Sequence, residues 1–127
     1  MGRANRLFCE SSLPASFATL VCGRAGRNGE VEIGNAGHCP PLLVRNGRAA
    51  PIEATGLPVG LFCSADYTVE RVSLSRGDTL FLYTDGLSEA QSPARQEYGT
   101  DRLARLLEGR HALAVADLIG ACLEDLR

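Results

Sequence analysis

Asp85 is the residue of this chain best placed to do chemistry. It sits at the end of Thr79-Leu80-Phe81-Leu82-Tyr83-Thr84-Asp85-Gly86, an apolar run of strand character that stops at an acid and a glycine. Such a run crosses a core and delivers one carboxylate to the rim of a sheet. The glycine behind it allows a tight turn and close backbone approach. A carboxylate so placed can ligate a hard divalent cation, which needs several further oxygens. It can equally be a turn acid or a helix-capping acid.

Three other segments invite a chemical reading. Asn35-Ala36-Gly37-His38-Cys39-Pro40-Pro41 carries a histidine, a candidate general base or metal ligand. The two prolines close behind it point instead to a rigid loop and a hydrogen-bonded structural His38. Gly56-Leu57-Pro58-Val59-Gly60-Leu61 is glycine-rich but lacks the phosphate-cradling G-x-x-x-x-G-K-[ST] pattern, and reads as a packed crossover loop. Glu89 follows the Asp85 turn and reads as a first-turn helix acid. His111 falls between two helical segments, where it is exposed to solvent. Ser11, Ser12 and Ser16 lie in no G-x-S-x-G nucleophile elbow.

The elements that must position these residues change period along the chain. Phe17 to Arg24 is apolar, Gly26-Arg27-Asn28-Gly29 is a turn, and Glu30 to Asn35 alternates, with Val31 and Ile33 on one face. This predicts a hairpin with one buried face. Pro41 to Arg45 and Ala49 to Glu53 flank Asn46-Gly47, a second hairpin. Tyr67 to Leu74 alternates again, Ser75-Arg76-Gly77-Asp78 turns, and Thr79 to Tyr83 is the apolar strand. The last part is helical. Asp101 to Gly109 sets Leu103, Leu106 and Leu107 on one face, with Asp101 suiting the helix dipole and Gly109 able to end the helix. Val115, Leu118, Ile119, Cys122 and Leu123 follow helical spacing. The expectation is one α+β domain over residues 1–127, strand-rich over 16–86 and helical over 87–127.

Bulk properties narrow the function classes. A chain of 127 residues holds one core, and 45% hydrophobic residues is globular. A net charge of −2 argues against nonspecific nucleic-acid binding. All 13 basic residues are arginine. That could serve oxyanion recognition, but the arginines are scattered, as codon bias would leave them. The five cysteines, Cys9, Cys22, Cys39, Cys63 and Cys122, are odd in number and contain no C-x-x-C pair. They predict neither a disulfide framework nor a zinc site, and most of them read as small buried apolar residues of a cytoplasmic protein. No apolar stretch is long enough to span a membrane, and Met1 to Arg6 has no signal-peptide core.

In order and spacing the segments say more than they do singly. Phe17-Ala18-Thr19-Leu20, Asn35-Ala36-Gly37-His38-x-Pro40-Pro41-Leu42-Leu43, Gly56-Leu57-Pro58-Val59-Gly60 and Gly77-Asp78-x-Leu80-x-Leu82-Tyr83-Thr84-Asp85-Gly86-Leu87-x-Glu89-Ala90 follow one another. This series closely resembles the bacterial stage II sporulation protein E-type phosphatases, a branch of the metal-dependent, PP2C-like superfamily. Helical matches extend it through Asn5-Arg6-Leu7 at one end and Tyr98-Gly99 to Arg127 at the other.

The resemblance implies an αββα sandwich of mainly antiparallel strands, here partial and followed by C-terminal helices. It implies removal of phosphate from phosphoserine or phosphothreonine of a bacterial signalling protein, such as an anti-sigma-factor antagonist. It also implies two Mn²⁺ or Mg²⁺ ions, which polarise the phosphoryl group and activate water. Asp85 matches the aspartate of the family's Thr-Asp-Gly motif and so inherits the role of metal ligand and catalytic residue. The family's earlier Gly-Asp element and late Asp-Asp pair have no counterpart in these residues. Glu124-Asp125 lies on an amphipathic helix and is a poor substitute. The expectation is therefore a phosphatase domain lacking most of its metal ligands, with sheet edges left uncovered that favour self-association. The other readings are a non-catalytic module that binds a phosphoprotein or dimerises, and an inactive fragment.

Overall fold

The computed structural model describes every residue except Pro14. The chain forms two compact units, one of residues Met1–Pro40 and Glu53–Ser75, the other of Pro41–Ile52 and Arg76–Arg127.

The first unit opens with helix α1 (Gly2–Ser11). Strands β1 (Leu20–Ala25) and β2 (Glu30–Ala36) form the expected hairpin, paired from Leu20↔Ala36 to Ala25↔Val31. Val31 and Ile33 are buried, as their alternation requires. On the β2 residue between them, Glu32 stands opposite Arg24 on one neighbour and Arg71 on the other. Both arginines reach its carboxylate, at 2.8 and 3.1 Å. They hold it below the usual carboxylate range, Arg24 most. Strand β5 (Glu70–Ser73) completes the sheet β1-β2-β5. It is shorter than the alternation from Tyr67 suggests. At Asn35 the same edge of β2 is taken by Thr55 and Gly56, whose N–H groups both donate to the Asn35 carbonyl. Thr68 therefore runs beside Thr55 instead of extending the ladder.

The second unit holds the sheet β4-β3-β6, built from β3 (Leu42–Arg45), β4 (Arg48–Pro51) and β6 (Thr79–Phe81). Asn46 and Gly47 both have positive φ, 51° and 71°, as a two-residue hairpin turn demands. β6 stops at Phe81, opposite Leu42, and does not continue to Tyr83. The next residue along β3 would be Pro41, which has no N–H to give the ladder. β4 is a sheet edge, and Glu108 of helix α3 (Thr100–Arg110) accepts a bond from the Ala49 N–H at 3.0 Å there. Leu103 and Leu107 of α3 are fully buried. Gly109 lies inside the helix, whose last residue is Arg110. Position 109 is exposed, so no side chain is needed there and the ladder simply runs on.

Helix α4 (Val115–Asp125) buries Leu118, Ala121 and Cys122. Val115, Ile119 and Leu123 of the same predicted stripe are 64%, 49% and 56% exposed. Only part of that apolar face is used within the chain. The C-terminal end of α4 is tied to α3 through Asp125. Its carboxylate accepts from Tyr98 Oη at 2.8 Å and from Arg102 Nε at 2.9 Å. Arg102 and Tyr98 together hold Asp125 below the usual carboxylate range. Burial, helped by Asp125, pushes the Tyr98 phenol up. The arrangement overall is α+β, two small antiparallel sheets followed by C-terminal helices.

Two of the five cysteines overturn the expectation of unpaired apolar thiols. Cys9 and Cys63 form a disulfide, with Cα atoms 5.9 Å apart. Cys22 is exposed and only Cys122 among the free thiols is buried. Residues 54 positions apart carry no spacing signal, so only folding could pair them.

Candidate functional site

Asp85 lies in the second unit, beyond the end of β6. Leu82 to Thr84 leave the sheet, and Thr84 is the extended N-cap of the short helix α2 (Asp85–Ser88). The carboxylate thus stands at a helix start and not at a strand end. It is exposed. Its backbone carbonyl accepts from the Glu89 N–H at 2.7 Å, closing the helix. An acid in a first turn suits the local dipole, so this position serves the fold as well as any ligand. Glu89 is the C-cap of α2, not a first-turn acid, because the helix begins earlier and ends after a single turn.

His38 and the Gly56–Leu61 segment lie in the first unit and are brought together there. Asn35 organises them. It lies on β2 with the same parity as Val31 and Ile33 and is fully buried. Its N–H donates to Thr55 Oγ1 at 2.9 Å. Its carbonyl accepts from Thr55 and Gly56. Its side-chain Oδ1 accepts from the His38 N–H at 2.8 Å, and Nδ2 donates to the His38 carbonyl at 3.0 Å. Every polar group of this buried residue is therefore satisfied. His38 Nδ1 meets Thr19 Oγ1 at 3.0 Å, which matches the structural, hydrogen-bonded histidine expected from the proline-bounded loop. Gly37, in left-handed backbone, passes directly under Pro58. A β-carbon there would fall 2.6 Å from the proline ring, so only glycine permits the approach.

The loop following Gly56 is stitched to the rest of its unit at three points. Val59 bridges Ala18, and Gly56 bridges Ala36. Asn5 of α1 is the third. It is fully buried, accepts from the Gly60 N–H at 2.7 Å, and donates to the carbonyls of Phe62 and Cys63 at 2.9 and 3.3 Å. Asn5 and Asn35 are the site residues that a search for chemical groups passes over. Asn35 had a signal, a polar residue on the buried parity of an alternating strand. Asn5 had none, since its neighbour Leu7 on the same helix is exposed.

Among the described residues, no three His, Cys, Asp or Glu side chains converge to hold a metal ion. A hard divalent cation takes roughly six oxygens or more. Asp85 offers one exposed carboxylate. Arg45 and Asp78, 33 residues apart, make an ion pair 2.7 Å long, with the Asp78 side chain almost buried. It fastens β3 to the turn before β6 and raises the Arg45 pKa.

The whole chain, residues 1–127, matches the family model described as Stage II sporulation protein E (SpoIIE). Protein IcfG of Synechocystis sp. is 34% identical over 95 residues, which cover 73% of this chain and 15% of IcfG. The RsbU and RsbW domains of Rv1364c from Mycobacterium tuberculosis align with 96% of this chain and 33% of their own, at 30% identity and a TM-score of 0.72. The SiaA-PP2C domain of Pseudomonas aeruginosa shares the fold over 95% of this chain and 48% of its own, with 19% identity and a TM-score of 0.78. The chain thus spans about a seventh of the curated relative and a third of the first of these solved chains. The family is metal-dependent, and its solved phosphatase domains include one soaked with manganese. By sequence and by fold, this chain belongs to the stage II sporulation protein E family of PP2C-like phosphatases, and it covers part of their domain.

Proposed function

We propose that this chain is part of one metal-dependent protein serine/threonine phosphatase domain, in which Asp85 is a metal ligand at the catalytic centre. The observation that carries the reading is the position of Thr84-Asp85-Gly86. The apolar β6 run delivers an exposed carboxylate at a helix start, within a chain whose whole length matches the family. The remaining carboxylates for Mn²⁺ or Mg²⁺ come from polypeptide beyond these residues. The substrate class is phosphoserine or phosphothreonine on a bacterial regulatory protein of the anti-sigma-factor antagonist type, in the cytoplasm. Similarity to RsbU and RsbW domains supports that class. Among the described residues, no helix is long and apolar enough to cross a membrane.

The test uses p-nitrophenyl phosphate with Mn²⁺, on a protein that contains the chain and the rest of its domain. Asp85→Asn should abolish metal-dependent turnover and weaken Mn²⁺ binding at least about tenfold, while the far-UV circular dichroism stays unchanged. Full turnover in that variant would overturn the ligand assignment. A second reading is favoured by the absence of converging ligands among the described residues. In it, the isolated chain is a non-catalytic module that binds a phosphoprotein or a second copy of itself. Partner binding with no turnover, unaffected by Asp85→Asn, would select it.

A further inference from the structure

Helix α1 is a weak element held by strong attachments. It has ten residues, no side-chain cap bond at its N-terminus and no acid in its first turn. An isolated helix of that length is marginal in water. Asn5 is its only buried residue. Asn5, Phe8 and Cys9 of α1 all engage one loop, the stretch from Gly60 to Cys63. Asn5 takes three backbone groups of that loop, and Phe8 covers Gly60, where a β-carbon would meet its ring at 2.6 Å. One turn further on, Cys9 is bonded to Cys63. The sulfur bridge is not sealed in a core. Cys63 is exposed and Cys9 half-buried. Both border an open depression whose other walls are Arg6, Glu10, Ser64, Ala65 and Asp66. A small thiol can therefore reach the bond.

We propose that Cys9 and Cys63 form a redox-sensitive clasp, which holds α1 against the Gly60–Cys63 loop when oxidised and leaves it on its non-covalent contacts, those of Asn5 and Phe8 among them, when reduced. The oxidant is a small disulfide such as oxidised glutathione. The Cys63 thiolate attacks one of its sulfurs, forms a mixed disulfide and expels one small thiolate. The Cys9 thiolate then attacks the Cys63 sulfur and expels the second. Two electrons pass from the cysteine pair to the small disulfide, and the two thiol protons end on the two released thiols. Reduction runs the same exchange backwards. The element so controlled matters, because the clasped loop continues directly from Gly56-Leu57-Pro58-Val59-Gly60, the segment bridged to Ala18 and Ala36.

The experiment equilibrates the full chain in glutathione buffers of graded ratio, traps free thiols with an alkylating agent, and measures hydrogen exchange of the α1 amides. Cys9 and Cys63 should pass together from both alkylated to both protected with no added mass, whereas any protection of the exposed Cys22 carries the mass of a bound glutathione. Exchange of the amides from Arg6 to Ser11 should slow at least about tenfold on oxidation, because the clasp suppresses local opening of the helix. Cys9→Ser and Cys63→Ser should exchange like the reduced chain at every ratio, and Cys22→Ser should leave the transition in place. Independent alkylation of the two cysteines, or identical α1 exchange in both states of the unmodified chain, would overturn the clasp. The second readout needs no variant, so misfolding of a serine variant leaves the test intact.

Discussion

Asn35→Ala should cost this chain about 3–4 kcal/mol, and the reason can be assembled bond by bond. The amide makes two side-chain hydrogen bonds, to the N–H and the carbonyl of His38, at 2.8 and 3.0 Å. Each is worth about 1 kcal/mol net. Alanine also leaves the His38 N–H without its acceptor. That residue is half-buried, so water recovers part of the loss and the extra penalty is about 1 kcal/mol. The vacated amide volume adds up to about 1 kcal/mol more. Urea unfolding followed by circular dichroism reads the sum as a lower midpoint at an unchanged slope. Asn35→Asp sharpens the test. One carboxylate oxygen keeps the His38 N–H, but the other faces the His38 carbonyl where Nδ2 stood. Burial and that carbonyl both disfavour the charged form, so the folded pKa rises above the unfolded value of about 3.9. The sign follows. Stability held by the protonated acid, which can donate to the carbonyl, is fully present below the unfolded pKa and is lost as pH rises through the raised folded pKa. Relative to the unmodified chain, Asn35→Asp should therefore gain stability as pH falls from 7 to about 4. A cost below about 0.5 kcal/mol for Asn35→Ala, with no acid rescue of Asn35→Asp, would refute the account of Asn35 as organiser of this loop.

Two further outcomes are expected besides those already given for Asp85 and the cysteine clasp. Asp125 is held below the usual carboxylate range by Arg102 and Tyr98, so its contribution is present above the unfolded pKa and lost as pH falls through the depressed folded value. In an acid titration monitored by Tyr fluorescence and far-UV circular dichroism, Tyr98→Phe should show a smaller loss of stability below about pH 4 than the unmodified chain. Equal losses would show that the phenol bond carries nothing. Size-exclusion chromatography with light scattering tests the exposed stripe on α4. If this face and the β6 edge pair copies of the chain, Ile119→Glu should shift an oligomer towards monomer, since Ile119 is half-exposed there. A monomer at all concentrations before substitution would count against self-association.

Much of this fold was legible because it is local. Val31 and Ile33 alternate with Glu30 and Glu32, and one face of β2 is buried in consequence. Asn46-Gly47 can supply two positive-φ residues side by side, and the hairpin forms around them. Leu103 and Leu107 lie four residues apart on a helix and share one face, both fully buried. Element ends were less legible. β6 ends early because of Pro41 on the neighbouring strand, and β5 starts late because Thr55 and Gly56 already hold the edge of β2. Neither cause lies within the element it limits.

The family was decided by sequence alone, through four ordered motifs that need no structure to be compared, and with it the presence of a candidate ligand at Asp85. Folding decided what those motifs hold on to. Asn35 and Asn5 are ordinary polar residues in the chain and fully buried hinges of hydrogen bonding in the fold. Cys9 and Cys63 look like unrelated thiols until α1 is laid against the loop after Gly60. The physical reason is the range of the interactions. Periodicity, turn chemistry and capping act between neighbours and are written in spacing. Burial of a polar group, the edge of a strand and a sulfur–sulfur approach depend on segments that meet only after folding.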